Sequence, residues 1–325
     1  MLRNFSKLSL LLALLNPAFG ESELSPDVYP IHLDDIHFIV TDEAQSVSFF
    51  ETHFDAREMA HPGERFDLVR FLSVKWHDPT ITITRTGPYA DLPPERNARW
   101  QNVRLVPPDG PKTKAFYGVR WLALATPSLD QARKKLLANG AVVSENAVSL
   151  PMEPTARAFS IYGPDGAALV IVERPQVDFG SASFAIDHIQ FLTADRDKSA
   201  RFFMSVFGGS PNEKTEAGTT LKVADATIVL SEPKAFEIDP DDVSLRNRPG
   251  TVHLGIDHLG FLYENIQDAV DAAAEQGYKP LFPPTRYVYK GKPTLYTFTA
   301  FSSPDNVTIE MVQVDGRIGP HSYYD

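Results

Sequence analysis

Two stretches decide the fold: FAIDHIQFLTA, residues 184–194, and LGIDHLGFLYE, residues 254–264. Each is an apolar, strand-like run with a histidine inside it, His188 in the first and His258 in the second, preceded by Asp187 and Asp257. A strand with apolar neighbours buries one face. An imidazole there needs partners for its ring nitrogens, which could be another protein group or a metal ion.

Working outward, both stretches belong to an internal repeat. LDDIHFIVTDEAQSVSFFETHFDA, from Leu33, aligns with IDHIQFLTADRDKSARFFMSVFGG, from Ile186. This puts Asp34 on Asp187, Phe38 on Phe191, Asp42 on Asp195, and the doublet Phe49-Phe50 on Phe202-Phe203. YGVRWLALATPSLDQARKKLLANGA, from Tyr117, aligns in the same way with LGIDHLGFLYENIQDAVDAAAEQGY, from Leu254. The endings GPDGAALVIVE and SPDNVTIEMVQ also correspond.

Every unit opens with a short strand. Asp or Ser then starts a helix with apolar residues at helical spacing, such as Val47, Phe50 and Phe54. Gly140 and Gly277 are placed to end the helices of units two and four. Strands rich in Thr, Val and Ile follow, as in TITITRT and DATIVLSEP. The expected class is α+β, with four βαβββ modules in two consecutive pairs, 31–176 and 183–315, joined through ERPQVDFGSAS. Pro-rich connections, PYADLPPERNARWQNVRLVPPDGPK and EPKAFEIDPDDVSLRNRPG, link the units of each pair, as covers for a site or as plain crossovers.

The remaining composition bounds the partners. The net charge of −11, with no basic run, excludes the clustered cations that nucleic acid or an anionic membrane surface would need. Without cysteine there is no disulfide, thiol nucleophile or thiolate ligand. Residues 1–20 carry Arg3 and Lys7, an apolar run Leu8–Leu15, and the small residues Ala18 and Gly20. This is the layout of a secretory signal peptide cut near Gly20, so the expectation is an exported protein, periplasmic or secreted. A small-molecule substrate remains as partner, and the chain is a monomer or a homo-oligomer.

The repeated units, the histidine on each IDH strand and the closing strand TIEMV together resemble the vicinal oxygen chelate superfamily. That superfamily groups glyoxalase I, the bleomycin- and fosfomycin-resistance proteins and the two-domain extradiol dioxygenases. The resemblance implies sheets curled around a cleft, with metal ligands on equivalent strands of two units. Carried over to this chain, it assigns His188, His258 and Glu310 to a divalent metal, Fe(II) in the first place and Mn(II) or Zn(II) otherwise. The matching positions in the first half are Asp35, Trp121 and Val170, which implies a first pair that has kept the fold and lost the site. Asp35 with His37, two residues along the same strand face, forms an alternative ligand pair.

Extradiol relatives carry an acid–base histidine in unit three and a tyrosine ten residues before the glutamate. Here no histidine lies between His188 and His253, and the tyrosine position is Ala300. PTRYVYKGKPTLYTF supplies Arg286, Tyr287 and Tyr296 as candidate catalytic groups, or else an aromatic hairpin selected for strand packing. His253, five residues before His258, reads as a loop residue. Three functions follow in order: a metal-dependent oxygenase or dioxygenase, a Lewis-acid lyase or isomerase, and a binding protein without turnover. An inward Glu232 would add a fourth ligand and favour the second.

Overall fold

The computed structural model describes residues 28–59, 66–70, 80–85, 115–180, 182–245, 255–288 and 295–314. The expected leader, the whole of the first Pro-rich connection, the end of the second, His253 and Tyr289 lie outside them. Among the described residues no helix is long and apolar enough to cross a membrane.

Module one is β1 (His32–Val40), α1 (Glu43–Phe54), β2 (Arg57–Met59), β3 (Phe66–Arg70) and β4 (Thr80–Arg85). A two-residue strand β5 (Ala115–Phe116) precedes module two: β6 (Gly118–Thr126), α2 (Leu129–Ala138), β7 (Val143–Ala147), β8 (Ala158–Tyr162) and β9 (Ala168–Glu173). Module three is β10 (Ala185–Leu192), α3 (Arg196–Phe207), β11 (Ser210–Lys214), β12 (Thr219–Val223) and β13 (Ala226–Ser231). After the short β14 (Val243–Ser244), module four is β15 (Gly255–Leu262), α4 (Ile266–Glu275), β16 (Thr285–Val288), β17 (Leu295–Ser302) and β18 (Thr308–Val314).

Local chemistry sets the helix boundaries. The side chains of Asp42, Ser128, Asp195 and Asn265 each accept from a backbone N–H in the first turn, satisfying donors that a helix start leaves open. Gly140 and Gly277 follow α2 and α4 at φ +84°, a left-handed conformation that glycine adopts without strain. The aromatic residues of the repeat meet in one core. Phe38 packs edge-on to Phe50, Phe191 to Phe203 and Phe54 to Phe184.

The α+β class and the four modules hold, but the pairing of modules differs from the consecutive arrangement. One eight-stranded sheet runs β16-β17-β18-β15-β1-β4-β3-β2, and the other β11-β12-β13-β10-β6-β9-β8-β7. Module one therefore joins module four, and module two joins module three, through antiparallel contact of their first strands. Residues 31–176 and 183–315 are consequently not two self-contained sheets, and the core extends from Leu33 to Met311. Pro-Asp turns fasten neighbours along the chain. Asp165 accepts from Thr41 N and Oγ1, and the buried Asp305 accepts from Ala194 N and Ser199 Oγ.

Each first strand carries a bulge in this central pairing. Asp35 pairs with Gly260 while Leu33 pairs with Phe261, and His37 pairs with His258 while Phe38 pairs with Ile256. The residues passed over are Asp34 and Asp257. In the other sheet they are Asp187 and Arg120. A bulge leaves one residue outside the ladder and re-aims the side chains beside it.

Candidate metal centre

In the sheet of modules one and four, β1 and β15 lie side by side, with β18 parallel to β15 on the other edge. His37 faces His258, Asp35 faces Gly260, and Gly260 in turn faces Glu310. Directly opposed residues share a face, so Asp35, His37, His258 and Glu310 project into one cleft while Ile36, Phe38, Leu259 and Ile309 enter the core.

The donor atoms of Asp35, His37 and His258 lie within 4.8 Å of one another. Glu310 Oε2 is 3.7 Å from His258 Nε2, and His37 Nδ1 is 3.8 Å from Asp35 Oδ2. The two imidazoles stand with ring centroids 4.2 Å apart. Space for the Asp35 carboxylate depends on Gly260, where a Cβ would sit 2.1 Å from Asp35 Oδ1.

The electrostatics are those of an enclosed site rich in carboxylates. Burial alone would lower the His258 pKa, but Glu310, Asp257 and Asp35 outweigh it and raise it to about 9. Burial pushes Glu310 up to about 7, against the pull of His258 and with the push of Asp35 and Asp257. Burial, then His258, holds His37 well below the usual histidine value. Three carboxylates around two imidazoles repel one another unless protons or a cation intervene. Oxygen and imidazole donors at this spacing fit a divalent ion of the Fe(II), Mn(II) or Zn(II) kind.

His188 is not in this cleft. It lies in the other sheet, opposite Ala123, with Trp121 opposite Gln190. Its Nδ1 is 2.7 Å from Asp187 Oδ2, and its Nε2 accepts from the Trp121 indole N–H at 3.5 Å. Arg174 grips Asp187 with two hydrogen bonds of 2.9 Å and reaches Glu153 with two more. Trp121 belongs to an apolar cluster with Leu150 and Val170. Both ring nitrogens face protein groups, and the expected set His188, His258 and Glu310 is divided between two sheets. The physical reason is the crossed pairing, which brings Trp121 to His188 and Asp35 with His37 to His258.

Of the other candidates, Glu232 is exposed and accepts from Arg196 N at 3.4 Å, so it supplies no fourth ligand. Arg286 is exposed. Tyr287 and Tyr296 are paired across the outer β16–β17 hairpin. Tyr296 is four residues from Ala300, the residue facing Glu310, which is about 13 Å along the strand. The tyrosine position of the extradiol relatives is thus a fully buried alanine opposite Glu310. Asp35 and His37 are the site residues that the consecutive pairing set aside. Their signal was present in the sequence, since Asp35 aligns with His188 and His37 lies one strand period further on.

With this geometry in hand, comparisons with known proteins agree on the fold. Residues 185–311 match the family described as Glyoxalase/Bleomycin resistance protein/Dioxygenase superfamily. This segment, less than half of the chain, is what is similar to that superfamily. Among solved structures, a point mutant of glyoxalase I from Zea mays superposes with a TM-score of 0.60 at 13% identity, covering 87% of this chain and 93% of its own. Glyoxalase I from the same plant gives a TM-score of 0.56 at 14% identity, covering 87% and 92%. A putative dioxygenase from Bacillus subtilis gives 0.58 at 15%, covering 90% and 87%. At these identities the likeness is one of fold alone. No functionally curated protein matches the chain. The superfamily segment covers modules three and four, whereas half of the cleft's donors come from module one.

Proposed function

We propose that the cleft between modules one and four is the divalent-metal centre of an enzyme that binds a small organic substrate through neighbouring oxygens and moves a proton on it, as a lyase or isomerase does. The observation that carries this reading is the donor set itself. Asp35 and His258 occupy equivalent strand positions of two modules, with Glu310 and His37 beside them on the same cleft face. Asp35, His258 and Glu310, with His37 in reach, would hold the ion. A bound divalent ion would polarise a substrate carbonyl or hydroxyl and favour its anionic form.

The chain's own groups supply the rest. Glu310, raised by burial in the metal-free cleft, would act as the proton acceptor from substrate when it is not itself bound to the ion. His258 presents Nε2 to the cleft because its Nδ1 is held by Asp257. Leu259, Phe261 and Ile309 behind the strands keep water away from the buried side of the site. Fourfold donation leaves fewer open positions than an oxygen-activating centre uses, and Ala300 offers no phenol to protonate an oxygenated substrate.

A second reading, an oxygenase or dioxygenase, is favoured by the compact subset Asp35, His37 and His258. Two histidines and one carboxylate on one face leave three positions for substrate and oxygen. Metal content by elemental mass spectrometry tests both readings, on the wild type beside Asp35→Ala, His258→Ala and His188→Ala. One equivalent lost in the first two variants and kept in the third supports the cleft, and retention in His258→Ala defeats it. Solvent deuterium exchange into vicinal hydroxyketones, without oxygen uptake, supports the proton-transfer reading. Oxygen uptake with phenolic substrates would replace it with the second.

A further inference from the structure

The repeated bulge carries a further residue of this site. In modules three and four the residue passed over by the ladder is an aspartate directly before the histidine, Asp187 before His188 and Asp257 before His258. Successive side chains of a regular strand point to opposite faces, so a carboxylate could not reach the ring of the next residue. The bulge removes that obstacle. Asp257 Oδ2 lies 2.9 Å from His258 Nδ1, and Asp187 Oδ2 lies 2.7 Å from His188 Nδ1.

The two copies of this device meet different neighbours. In the cleft of modules two and three, the free nitrogen of His188 is capped by the Trp121 indole, and Arg174 occupies the aspartate with a two-pronged ion pair. In the cleft of modules one and four, Nε2 of His258 is aimed at Glu310 and at the space shared with Asp35 and His37. Both side chains of the Asp257–His258 pair are 11% exposed, so water competes weakly for the bond. A carboxylate that accepts the Nδ1 proton fixes the ring's tautomer and orientation and makes the opposite nitrogen a better donor.

We infer that Asp257 is a positioning residue, whose bulge-borne carboxylate fixes His258 with Nε2 turned into the cleft as a ligand for a divalent cation. The inference rests on the metal reading of the cleft for the cation, but the tautomer itself is independent of it.

The test uses the full chain labelled with ¹⁵N-histidine, as wild type, Asp257→Ala, Asp257→Asn and Asp187→Ala. Nitrogen shifts of the metal-free chain at pH 10, above the His258 value of about 9, report which nitrogen carries the proton. The expected result is Nδ1–H at His258 in the wild type and in Asp257→Asn, and a mixed or Nε2–H form in Asp257→Ala. Zinc titration should show binding weakened about 10–100-fold in Asp257→Ala, less in Asp257→Asn, and unchanged in Asp187→Ala. If the tautomer is as expected but the wild type binds no zinc, the metal reading fails and the positioning of the ring stands. An Nε2–H form in the wild type, unchanged zinc affinity in both Asp257 variants, or an equal loss in Asp187→Ala overturns the inference. Should Asp257→Ala not fold, Asp257→Asn carries the same comparison, with unchanged affinity as the contrary result.

Discussion

Gly260→Ala isolates the Asp35 carboxylate without touching any donor. The added Cβ would lie 2.1 Å from Asp35 Oδ1, and the nearest backbone atom, Asp35 N, is at 3.8 Å. Carbon and oxygen do not settle closer than about 3 Å, so the carboxylate must retreat by roughly 1 Å, and its torsions can supply that movement. The conformational cost is that of an off-rotamer side chain, about 1 kcal/mol, because the backbone itself has room. The effect on the metal is larger. Asp35 leaves the position from which it reaches the ion, and affinity should fall at least about tenfold, or 1.4 kcal/mol. Calorimetric titration with Mn(II) or Zn(II), together with chemical denaturation, separates the two effects. The decisive variant is Gly260→Ala combined with Asp35→Ala. If the methyl acts through Asp35, the double variant binds metal as Asp35→Ala does, with no further loss. Additive losses, or unchanged affinity in Gly260→Ala alone, would refute the assignment of Asp35 to the site.

Four further outcomes follow from the structure. Metal binding must displace the proton of His258 below pH 9 and that of Glu310 below pH 7, so affinity should rise by about tenfold per pH unit between pH 7 and 9 and level off above, as measured by titration in buffers of different ionisation enthalpy. The same raised values mean that the metal-free native chain holds these protons more tightly than the unfolded one. These two groups therefore stabilise it most below pH 4.5 for Glu310 and below pH 6.5 for His258, and their contribution is lost as pH rises through about 7 and about 9 respectively. Trp121→Phe leaves His188 Nε2 without the indole donor and should lower stability by about 1–2 kcal/mol while metal stoichiometry stays the same; a second equivalent of tightly bound metal would contradict a purely structural His188. Asp305→Ala removes the acceptor for Ala194 N and Ser199 Oγ and should cost about 2–3 kcal/mol in denaturant unfolding, with no loss of metal affinity.

The sequence disclosed the parts more readily than their assembly. Helix starts were legible at Asp42, Ser128 and Asp195, short polar side chains ahead of apolar periodic runs, because cap chemistry is local; Asn265 does the same work in module four. His258 stood out as a polar residue in an apolar strand, and Glu310 was reached through the resemblance of the closing strand TIEMV to the superfamily. The partner of His258 was not legible. Every module offers an apolar first strand, so self-alignment cannot say whether β15 pairs with β10 or β1; that is a property of the assembled core from Leu33 to Met311. The fate of His188 depends on Trp121, which lies in another module, and no pattern around His188 itself announces it. The bulges at Asp187 and Asp257 were equally hidden, since a bulge is a relation between two strands.

The crossed pairing also has a consequence for how the chain acquires its shape. β6 and β10 lie in the middle of the chain, so their sheet needs only the central two modules and can assemble while the chain's end is still being made. β1 must wait for β15, and His37 meets His258 across a loop of about 220 residues, among the slowest contacts to close. Until then the first module presents an open strand edge of the kind that draws in wrong partners or a second copy. Of the two large sheets this one closes the longer loop, and occupancy by an ion would reward only chains that have closed it.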